Sequence, residues 1–326
     1  MTTKWNEAIE AVRNAKSILI VTHIGPDGDA IGSLLGLAIG LREMGKSVDA
    51  AVDGGVPDYL QYIPQQETVI SELKQGQWEL MISVDASDEE RTGEAGIYGR
   101  AHSPVVINLD HHATNTMFGN IHLVDPAAVA ASEVVFDWLN AFGHPISQPV
   151  ATALLTGMVT DTMGFRTNHV VPRTLEIAHQ LMLAGGPLVD IINRTMVSKP
   201  INHIILWKHV FPSVEYKDSI ASAVVTPDDI KAADLSEMTD AGLVSTLVAA
   251  DEVLIAVVFK VEPDNKVELS LRSKAGYDVS VVAFALGGGG HKPAAGATVT
   301  GTLDEVKARV MPMLQAVIQQ GKQASV

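Results

Sequence analysis

The chain of 326 residues contains no cysteine. This absence excludes disulfide bonds, zinc–thiolate sites and thiol nucleophiles, so any metal ion must be bound by histidine and carboxylate side chains. It also agrees with a reducing cytoplasm, because disulfides form mainly in oxidising compartments. The ligands available for a metal are therefore oxygen and nitrogen atoms.

Basic side chains are scarce as well. The chain has 23 Lys and Arg residues against 38 Asp and Glu residues, which gives a formal net charge of −15. Proteins that bind long nucleic acids neutralise many phosphates with a basic surface, so we expect no binding of long duplexes. A polyanionic substrate would have to be bound locally, by metal cations and a few well-placed basic residues.

Long apolar runs are also missing, since no stretch reaches the ~18 residues of a membrane span. The N-terminal segment MTTKWNEAIEAVRNAKS contains acids and lacks the apolar core of a signal peptide. We therefore expect a cytoplasmic protein that does not associate with membranes. The hydrophobic fraction of 47% and the charged fraction of 19% are typical of globular proteins, and the length allows two compact domains.

The first half of the chain alternates short apolar runs with helical patterns. The runs at 17–21, 48–52, 80–84 and 105–109 predict buried strands, and the periodic segment 30–44 predicts a helix. Strands that alternate with helices predict an α/β fold, with a parallel sheet covered by helices on both faces.

Helical patterns continue from 127 to 184, where Gly185-Gly186-Pro187 interrupts them. We place a first domain at residues 1–186, a linker with a bridging helix at 187–212, and a smaller α/β domain at 213–326. The smaller domain is predicted to contain strands at 221–225, 253–261 and 267–272, a helix that begins near Asp278, and a final helix from about 303 to 320.

Three of the predicted strands are followed directly by chemically capable side chains. The first strand leads to His23, the third to Asp85, and the fourth to Asp110, His111 and His112. Ligands of parallel sheets gather beyond the carboxyl ends of the strands, so we expect these side chains to lie close together.

The segment after the first strand adds Asp27 and Asp29, and the apolar run ALLTGMVTDT adds Asp161. Either of the first two acids alone is as well explained as a helix cap, and a lone histidine at a strand end is more often a structural residue. Independent caps have no reason to converge on one edge of a sheet. Their convergence therefore favours a shared cation.

Glycines in the same segment suggest a dinucleotide-binding alternative. Gly25, Gly28 and Gly32 lack the G-x-G-x-x-G spacing, however, and the two neighbouring acids would repel a pyrophosphate, so we exclude this alternative. Mixed imidazole and carboxylate ligands favour Mn²⁺ as the native ion. Mg²⁺ prefers oxygen ligands and is disfavoured as the only ion, although Mg²⁺ and Co²⁺ stay open as alternatives.

The C-terminal half contains a second candidate site. Arg272 offers a planar fork for phosphate, and Gly287 to Gly290 permit close backbone approach directly before His291. Four glycines alone would favour a flexible turn. With Arg272-Ser273 upstream and His291-Lys292 attached, phosphate or nucleotide binding is the better interpretation.

These segments resemble the motifs of the DHH phosphoesterase superfamily. HIGPDGDAIGS is similar to its first motif, VDASD to its second, LDHH to the third, which names the family, and VTDTMGF to the fourth. LSLRSKAGYDVSVVAFALGGGGHKPAAG resembles the associated DHHA1 domain, whose GGGH loop contacts substrate. Five ordered motifs across nearly the whole chain make the resemblance specific.

The resemblance implies a pair of metal ions in the first domain. The implied ligands are His23, Asp27 and Asp85 for one ion, and Asp29, Asp85, His111 and Asp161 for the other. Asp85 would bridge the ions, which would activate a water for attack on phosphorus. His112 would lie beside the substrate as a hydrogen-bond or proton donor, and Asp110 would orient a ligand imidazole.

In the second domain, the resemblance implies a substrate lying between the domains and bound by Arg272, Ser273, Gly288, Gly289, Gly290 and His291. Met163 departs from the fourth motif, where many relatives carry glycine. Arg166 is interpreted equally well as a substrate contact and as a solvated surface residue. Ser132, Glu133 and Asp125 are interpreted as ordinary helix-start residues outside the site.

The second domain distinguishes among the relatives. Family II inorganic pyrophosphatases carry a different C-terminal domain with an Arg-Lys-Lys signature, RecJ exonucleases add a nucleic-acid-binding barrel, and the membrane-bound cyclic-di-AMP phosphodiesterases add transmembrane segments. The sequence resembles instead the stand-alone oligoribonucleases, or nanoRNases. We expect a Mn²⁺-dependent phosphoesterase that hydrolyses short RNA or DNA oligonucleotides from dinucleotides upward, and 3′-phosphoadenosine 5′-phosphate to AMP.

Two alternatives stay open. One is a soluble phosphodiesterase that acts on cyclic di-AMP or its linear product pApA. The other is a nucleotide-binding sensor without catalysis, which is disfavoured because all six proposed metal ligands are present. The sequence also leaves open the polarity of cleavage and whether the protein is a homodimer.

Overall fold

A computed structural model describes residues 3–324 of the protein. The chain folds into two compact units that meet at the Ser198–Lys199 bond. This bond lies inside the segment 187–212 that was predicted to be a linker. In the described range, no single helix is both long enough and apolar enough to cross a membrane.

The N-terminal unit is built on a six-stranded sheet with the strand order β3-β2-β1-β4-β5-β6, and every pairing in it is parallel. Its strands are β1 (Ser17–Val21), β2 (Ser47–Ala51), β3 (Val69–Ile70), β4 (Leu80–Val84), β5 (Val106–Asp110) and β6 (Ile121–Val124). The predicted strands 17–21 and 80–84 are confirmed to the residue, and 48–52 and 105–109 are each displaced by one position.

The helices of this unit cover both faces of the sheet, as expected. They are α1 (Thr3–Asn14), α2 (Gly28–Glu43), α3 (Gly93–Ala101), α4 (Ala131–Ala141), α5 (Gln148–Asp161), α6 (Pro172–Leu183) and α7 (Leu188–Ile192), and a π-helix follows at Asn193–Val197. Successive residues of a strand point to opposite faces. Ile18 and Ile20 therefore pack in the large core with α2, α4 and α5, whereas Leu19 and Val21 pack in a smaller core with Ala95 of α3.

Close packing of α2 against α5 brings two acids of the site together. The two helices run antiparallel, because Gly28 at the start of α2 lies against Thr160 near the end of α5, and Gly32 lies against Ala153 and Gly157. A Cβ atom on Gly32 would lie 2.5 Å from a backbone oxygen of α5. Asp29 on the first turn of α2 and Asp161 at the end of α5 consequently project at the same edge of the sheet.

The C-terminal unit contains a second six-stranded sheet with the order β11-β12-β10-β9-β8-β7. Only β8 and β9 pair in parallel among these described strands. The elements are α8 (Ile201–Val210), β7 (Glu215–Lys217), β8 (Ile220–Val225), α9 (Pro227–Ala232), α10 (Leu243–Val248), β9 (Ile255–Glu262), β10 (Lys266–Ser273), α11 (Ser280–Ala285), β11 (Gly289–His291), β12 (Ala294–Thr300) and α12 (Leu303–Ala324).

The strands predicted at 221–225, 253–261 and 267–272 are confirmed as β8, β9 and β10. Asp278 caps α11 by accepting a hydrogen bond from the Ser280 N–H, as the predicted helix start near it requires. The glycine run was predicted to be a loop, but Gly289 to His291 pair with β12 as strand β11.

Candidate metal centre and substrate-binding residues

The candidate metal centre lies at the switch point of the parallel sheet. The central strands β1 and β4 are neighbours, and the strand order runs outward from them in opposite directions, to β2 on one side and to β5 on the other. A crevice forms at such a point beyond the carboxyl ends of the strands. His23 follows β1, and Asp85 follows β4. Asp110 is the last residue of β5, and His111 and His112 follow it. The predicted convergence is therefore confirmed.

Asp27 is both a helix cap and a member of the cluster. Its Oδ1 accepts hydrogen bonds from the N–H groups of Asp29 and Ala30, at 3.0 and 3.1 Å, and so caps α2. Its Oδ2 accepts no hydrogen bond in the part of the chain that the structure describes, and 60% of the side chain is exposed. The capping interpretation therefore leaves one carboxylate oxygen free for a ligand.

Five side chains converge around Asp85. The Nε2 atom of His23 lies 3.7 Å from Oδ2 of Asp85 and 4.0 Å from Oδ1 of Asp27. The Nε2 atom of His111 lies 3.6 Å from the other oxygen of Asp85, 3.7 Å from Asp161 and 4.0 Å from Asp29. These separations are too long for hydrogen bonds, and they suit atoms that surround a common ion.

The two oxygens of Asp85 therefore face different groups of side chains. Oδ2 faces the His23 group, and Oδ1 faces the His111 group. His23, Asp27 and Asp85 offer ligand atoms within 4.8 Å of one another, as do Asp29, His111 and Asp161. A single carboxylate at the junction of two such groups is the arrangement that a bridging ligand needs.

The surroundings of Asp85 fit a bound cation. It is 3% exposed, and its Oδ1 has no hydrogen-bond partner among the described residues. Burial, reinforced by the negative charges of Asp29 and Asp27, raises the pKa of Asp85 well above its usual value. Burial and the same two charges raise the pKa of Asp161 to about 8. The cluster is therefore short of positive charge, which divalent ions would supply.

Backbone geometry at Asp85 also marks it as specialised. Its φ of 55° lies in the left-handed region, where a residue with a side chain is strained unless its surroundings hold it. Met163, where the sequence departs from the resembled fourth motif, has a φ of 52° and an exposed side chain. Glycine is thus the residue that the backbone at position 163 prefers.

Local hydrogen bonds orient the two histidines differently. The Nδ1 atom of His23 lies 2.9 Å from the carbonyl oxygen of Ile24, which accepts only if Nδ1 carries the proton. The lone pair of His23 is then on Nε2, the atom that faces Asp85. The Nδ1 atom of His112 lies 2.8 Å from Oδ1 of Asp110, and this hydrogen bond raises the pKa of His112.

Asp110 was expected to orient a ligand imidazole, but its carboxylate contacts the ring of His112 and not that of His111. It is fully buried, and it also accepts a hydrogen bond from Nδ2 of Asn115 at 2.6 Å. Burial alone would raise the pKa of Asp110, but the hydrogen bonds from His112 and Asn115 outweigh it and lower that pKa. Asp110 therefore remains charged beside the imidazole that it orients.

Ser132 was interpreted as an ordinary helix-start residue, and the structure corrects this interpretation. Its N–H and its hydroxyl both donate to Oδ1 of Asp29, at 3.0 and 2.6 Å, and the Ala131 N–H donates to Oδ2 at 2.6 Å. Ser33 donates to the same carboxylate at 3.2 Å. The start of α4 thus holds Asp29 in place, although about a hundred residues separate the two in sequence.

In the C-terminal unit, the predicted substrate-binding residues lie together at one end of the sheet. Arg272 on β10 pairs in register with Ala294 of β12, and His291 of β11 pairs with the same residue. Nη1 of Arg272 donates to the Leu271 carbonyl oxygen at 2.9 Å, and the guanidinium makes no ion pair in the described range. Ser273 donates to the carbonyl oxygen of Tyr277 at 2.5 Å.

Strand packing accounts for part of the glycine run. A Cβ atom on Gly288 would lie 2.1 Å from the backbone oxygen of Gly296 on β12, so packing alone excludes a larger residue there. His291 is exposed at the end of β11.

Arg166 was interpreted equally well as a substrate contact and as a surface residue. It is exposed and donates from Nε to the carbonyl oxygen of Met163 at 2.7 Å.

Comparison with known proteins agrees with the motifs. The family model for the DHH family, N-terminal domain, matches residues 17–158, and that for the DHHA1 domain matches residues 218–320. The bifunctional oligoribonuclease and PAP phosphatase NrnA of Thermus thermophilus is 33% identical, over 94% of this chain and 90% of that protein. The cyclic-di-AMP phosphodiesterase GdpP of Geobacillus thermodenitrificans is 26% identical, over 96% of this chain and 49% of that protein.

The fold is also that of a solved structure. An exopolyphosphatase-related protein from Bacteroides fragilis matches with a TM-score of 0.89, covers 100% of both chains and is 24% identical in sequence. At this level of identity the match concerns the fold of the chain alone.

Proposed function

The chain belongs to the DHH family, and from this premise we propose that it is a two-metal phosphoesterase of short nucleotides. Its substrates are oligonucleotides from dinucleotides upward, which it hydrolyses to mononucleotides, and 3′-phosphoadenosine 5′-phosphate, which it hydrolyses to AMP. The observation that carries the proposal is Asp85, a buried carboxylate whose two oxygens face two separate groups of potential ligands. The NrnA relative, named for both activities, is covered over 90% of its length.

The proposed metal ligands fall into two sets that share Asp85. They are His23, Asp27 and Asp85 for the first ion, and Asp29, Asp85, His111 and Asp161 for the second. Ligands of this mixed kind favour Mn²⁺ over Mg²⁺ as the native ion, because the imidazoles of His23 and His111 are poor ligands for Mg²⁺. Both ions, when bound, supply positive charge that stabilises the phosphate oxygens and activates the attacking water.

His112 is the proposed proton donor to the phosphate or to the leaving oxygen. Its Nδ1–H is committed to Asp110, so Nε2 is the ring atom that remains for the substrate. The charge of Asp110 stabilises the protonated ring and fixes its orientation, and 38% of the side chain is accessible. A positioned imidazole of this kind contributes about 10²–10⁴-fold to the rate.

The C-terminal unit is proposed to bind a nucleotide phosphate. Arg272 retains guanidinium N–H groups without a carboxylate partner, and a planar fork of this kind recognises phosphate in a bidentate manner. Ser273, the backbone of Gly288 to Gly290 and the exposed His291 complete the proposed set. These few groups are enough for a short substrate, and the net charge of −15 disfavours tracking of a longer one.

A second candidate is a phosphodiesterase of cyclic di-AMP or pApA. It is favoured by the 26% identity to GdpP along 96% of this chain, although the chain spans only about half of that protein. The main proposal stands ahead because the NrnA relative is more similar and is matched over nearly its whole length. A sensor without catalysis has the least support, since every proposed ligand is present.

The test is Mn²⁺-dependent release of mononucleotide from a labelled RNA dinucleotide, run beside pAp, pApA and cyclic di-AMP. Asp85→Asn should abolish both turnover and binding of two Mn²⁺ per chain. Asp264→Asn is the matched control, because Asp264 is an exposed aspartate whose φ of 60° is close to the 55° of Asp85. No turnover of any substrate by metal-loaded protein, or full activity of Asp85→Asn, would refute the proposal.

A further inference from the structure

A cleft in the N-terminal unit has no role in the site described so far. It has a volume of about 490 Å³ and is lined by Asp58, Tyr59, Gln61, Tyr62, Arg194 and Ser198. This volume lies within the range of pockets that bind small molecules. Its two walls are the loop after β2 and the π-helix Asn193–Val197.

The two tyrosines of the cleft differ in their hydrogen bonding and exposure. The hydroxyl of Thr156 on α5 donates to the Thr152 carbonyl oxygen, so Tyr62 is the donor in its 3.0 Å hydrogen bond to Thr156. Tyr62 is thereby fixed to the helix that ends at Asp161. Tyr59 is 49% exposed, and its hydroxyl has no hydrogen-bond partner in the described range. A half-exposed aromatic ring is a suitable surface for stacking of a nucleobase.

Arg194 supplies a positive charge that has no acidic partner within ion-pair distance among the described residues. Its guanidinium lies 5.2 Å from the centre of the Tyr62 ring, which holds it by a cation–π interaction. It makes no hydrogen bond or ion pair within residues 3–324. The acid of the cleft, Asp58, accepts a hydrogen bond from Gln61. Arg194 is carried by a π-helix, an element that is often found at functional sites.

The cleft adjoins the metal centre. Strands β1 and β2 are parallel neighbours with Val21 opposite Ala51, so His23 and the loop that contains Tyr59 leave the sheet at the same edge. Tyr62 contacts α5 at Thr156, five residues before Asp161, which corresponds to about 7.5 Å along a helix. Burial, together with the negative charge of Asp27, raises the pKa of Tyr59.

We propose that this cleft binds a second nucleotide of the oligonucleotide substrate, with its base stacked on Tyr59 and a phosphate paired with Arg194. The inference rests on the function proposed above and extends it. The proposed contact distinguishes the two substrate classes, because a dinucleotide has a second base that can stack on Tyr59, whereas pAp has only one base. The cleft therefore favours oligonucleotides over pAp.

The first test compares kcat/KM for an RNA dinucleotide with kcat/KM for pAp in Tyr59→Ala, using the full chain loaded with Mn²⁺. The ratio of the two values should fall by about tenfold, mainly through the KM of the dinucleotide, because one base–aromatic stack is lost. Tyr59→Phe and Tyr59→Trp keep a stacking ring and should restore the ratio. Tyr216→Ala is the matched control, because Tyr216 is exposed on β7, at the sheet edge opposite β11.

The second test concerns Arg194. Arg194→Ala should raise the KM of a 5′-phosphorylated dinucleotide, whose terminal phosphate is not the one that is cleaved. It should also reduce the slope of log KM against log salt concentration by about 0.7, which corresponds to one phosphate contact with a single strand. Arg194→Lys keeps the charge and should keep most of the slope. Arg309→Ala, at an exposed position on α12, should leave the slope at the wild-type value.

The outcomes separate this inference from the proposed function. If the wild-type chain hydrolyses neither substrate, the proposed function fails. If the wild-type chain hydrolyses both but Tyr59→Ala lowers the two rates equally or leaves their ratio within twofold, the stacking role of Tyr59 is refuted. An unchanged salt dependence in Arg194→Ala overturns the phosphate contact.

Discussion

Replacement of Gly157 by alanine should damage the metal centre although Gly157 binds nothing itself. Gly157 lies on α5, where it faces the carboxylate of Asp29 and the Ser132 side chain that holds it. A Cβ atom at this position would lie 2.0 Å from Oγ of Ser132 and 2.5 Å from Oδ1 of Asp29. Both distances are far below van der Waals contact, and both groups are buried, so one of them must move.

The size of the effect follows from opposing contributions. Alanine is the better helix former by about 1 kcal/mol, which favours the variant. Overpacking costs about 1–3 kcal/mol, and loss of the hydroxyl–carboxylate hydrogen bond costs about 1.5–3 kcal/mol. The net destabilisation is about 3 kcal/mol, which lowers the melting temperature of a unit of this size by about 6–12 °C. Displacement of a residue that orients a ligand should also weaken metal binding about 10–100-fold.

Thermal unfolding and Mn²⁺ titration of the purified chain measure the two effects. Gly40→Ala is the control, because the nearest atoms to its Cβ would belong to the flexible side chain of Leu139. Gly40 also lies about 18 Å along α2 from Gly28, at the other end of the helix from Asp29. It should alter stability without altering Mn²⁺ affinity. Adding Ser132→Ala to Gly157→Ala removes the closest obstructing atom, so the double variant should lose less stability than the sum of the single variants.

Wild-type melting temperature and Mn²⁺ affinity in Gly157→Ala would refute this reasoning. The same holds for strict additivity with Ser132→Ala, because the predicted clash requires the Ser132 hydroxyl. Equal losses of Mn²⁺ affinity in Gly40→Ala and Gly157→Ala would show that general loosening of α2 against α5, and not displacement of Asp29, weakens the site.

His112→Ala should lower kcat by about 10²–10⁴-fold and leave the Mn²⁺ stoichiometry unchanged. Asp110→Asn should lower kcat less, because this variant keeps the imidazole of His112. Loss of bound metal from His112→Ala, measured by calorimetry, would contradict the assigned role of His112. Met163→Gly should raise the free energy of unfolding by about 0.5 kcal/mol in urea titrations, because relief of left-handed strain exceeds the added chain entropy, and destabilisation would contradict this. Burial raises the pKa of Asp161 to about 8 and that of Asp85 well above its usual value, so below these values a metal must displace protons. Mn²⁺ affinity should therefore increase from pH 6 to 8.5, and the metal-free protein should lose stability over the same interval as the buried carboxyls ionise; an affinity that does not change with pH would refute the assignment.

The sequence predicts the central strands well because burial on both faces makes them continuous apolar runs. β1 (SILIV) and β4 (LMISV) have no polar face, and their carboxyl ends are therefore visible in the sequence. β12 (AAGATVT) was not predicted, since its residues are small and only alternate ones are buried. β6 has four residues and alternating burial, which is too short a pattern to separate from a loop.

The convergence of the proposed metal ligands could be predicted, because most of them follow a strand and Asp161 ends a helix. The residues that hold them could not. Ser132 lies about a hundred residues from Asp29 in sequence, and a serine at the start of a helix cannot be distinguished in sequence from an ordinary helix cap. Gly157 has a packing role only because α2 and α5 cross closely, and Tyr59 and Arg194 meet only in the folded unit. Such roles depend on distances between elements, which local patterns do not contain.

The net negative charge and the proposed metal centre together account for the proposed preference for a short substrate. With a net charge of −15, attraction for phosphate would come from the proposed metal ions and from cations such as Arg194 and Arg272, which make no ion pair among the described residues. Each nucleotide beyond those contacts brings another negative charge and gains no partner, so it adds repulsion instead of affinity. A mononucleotide product loses the second base and its phosphate, and with them the contacts proposed for Tyr59 and Arg194. With these few proposed contacts, the chain would bind a dinucleotide and release its mononucleotide products without an extended binding track.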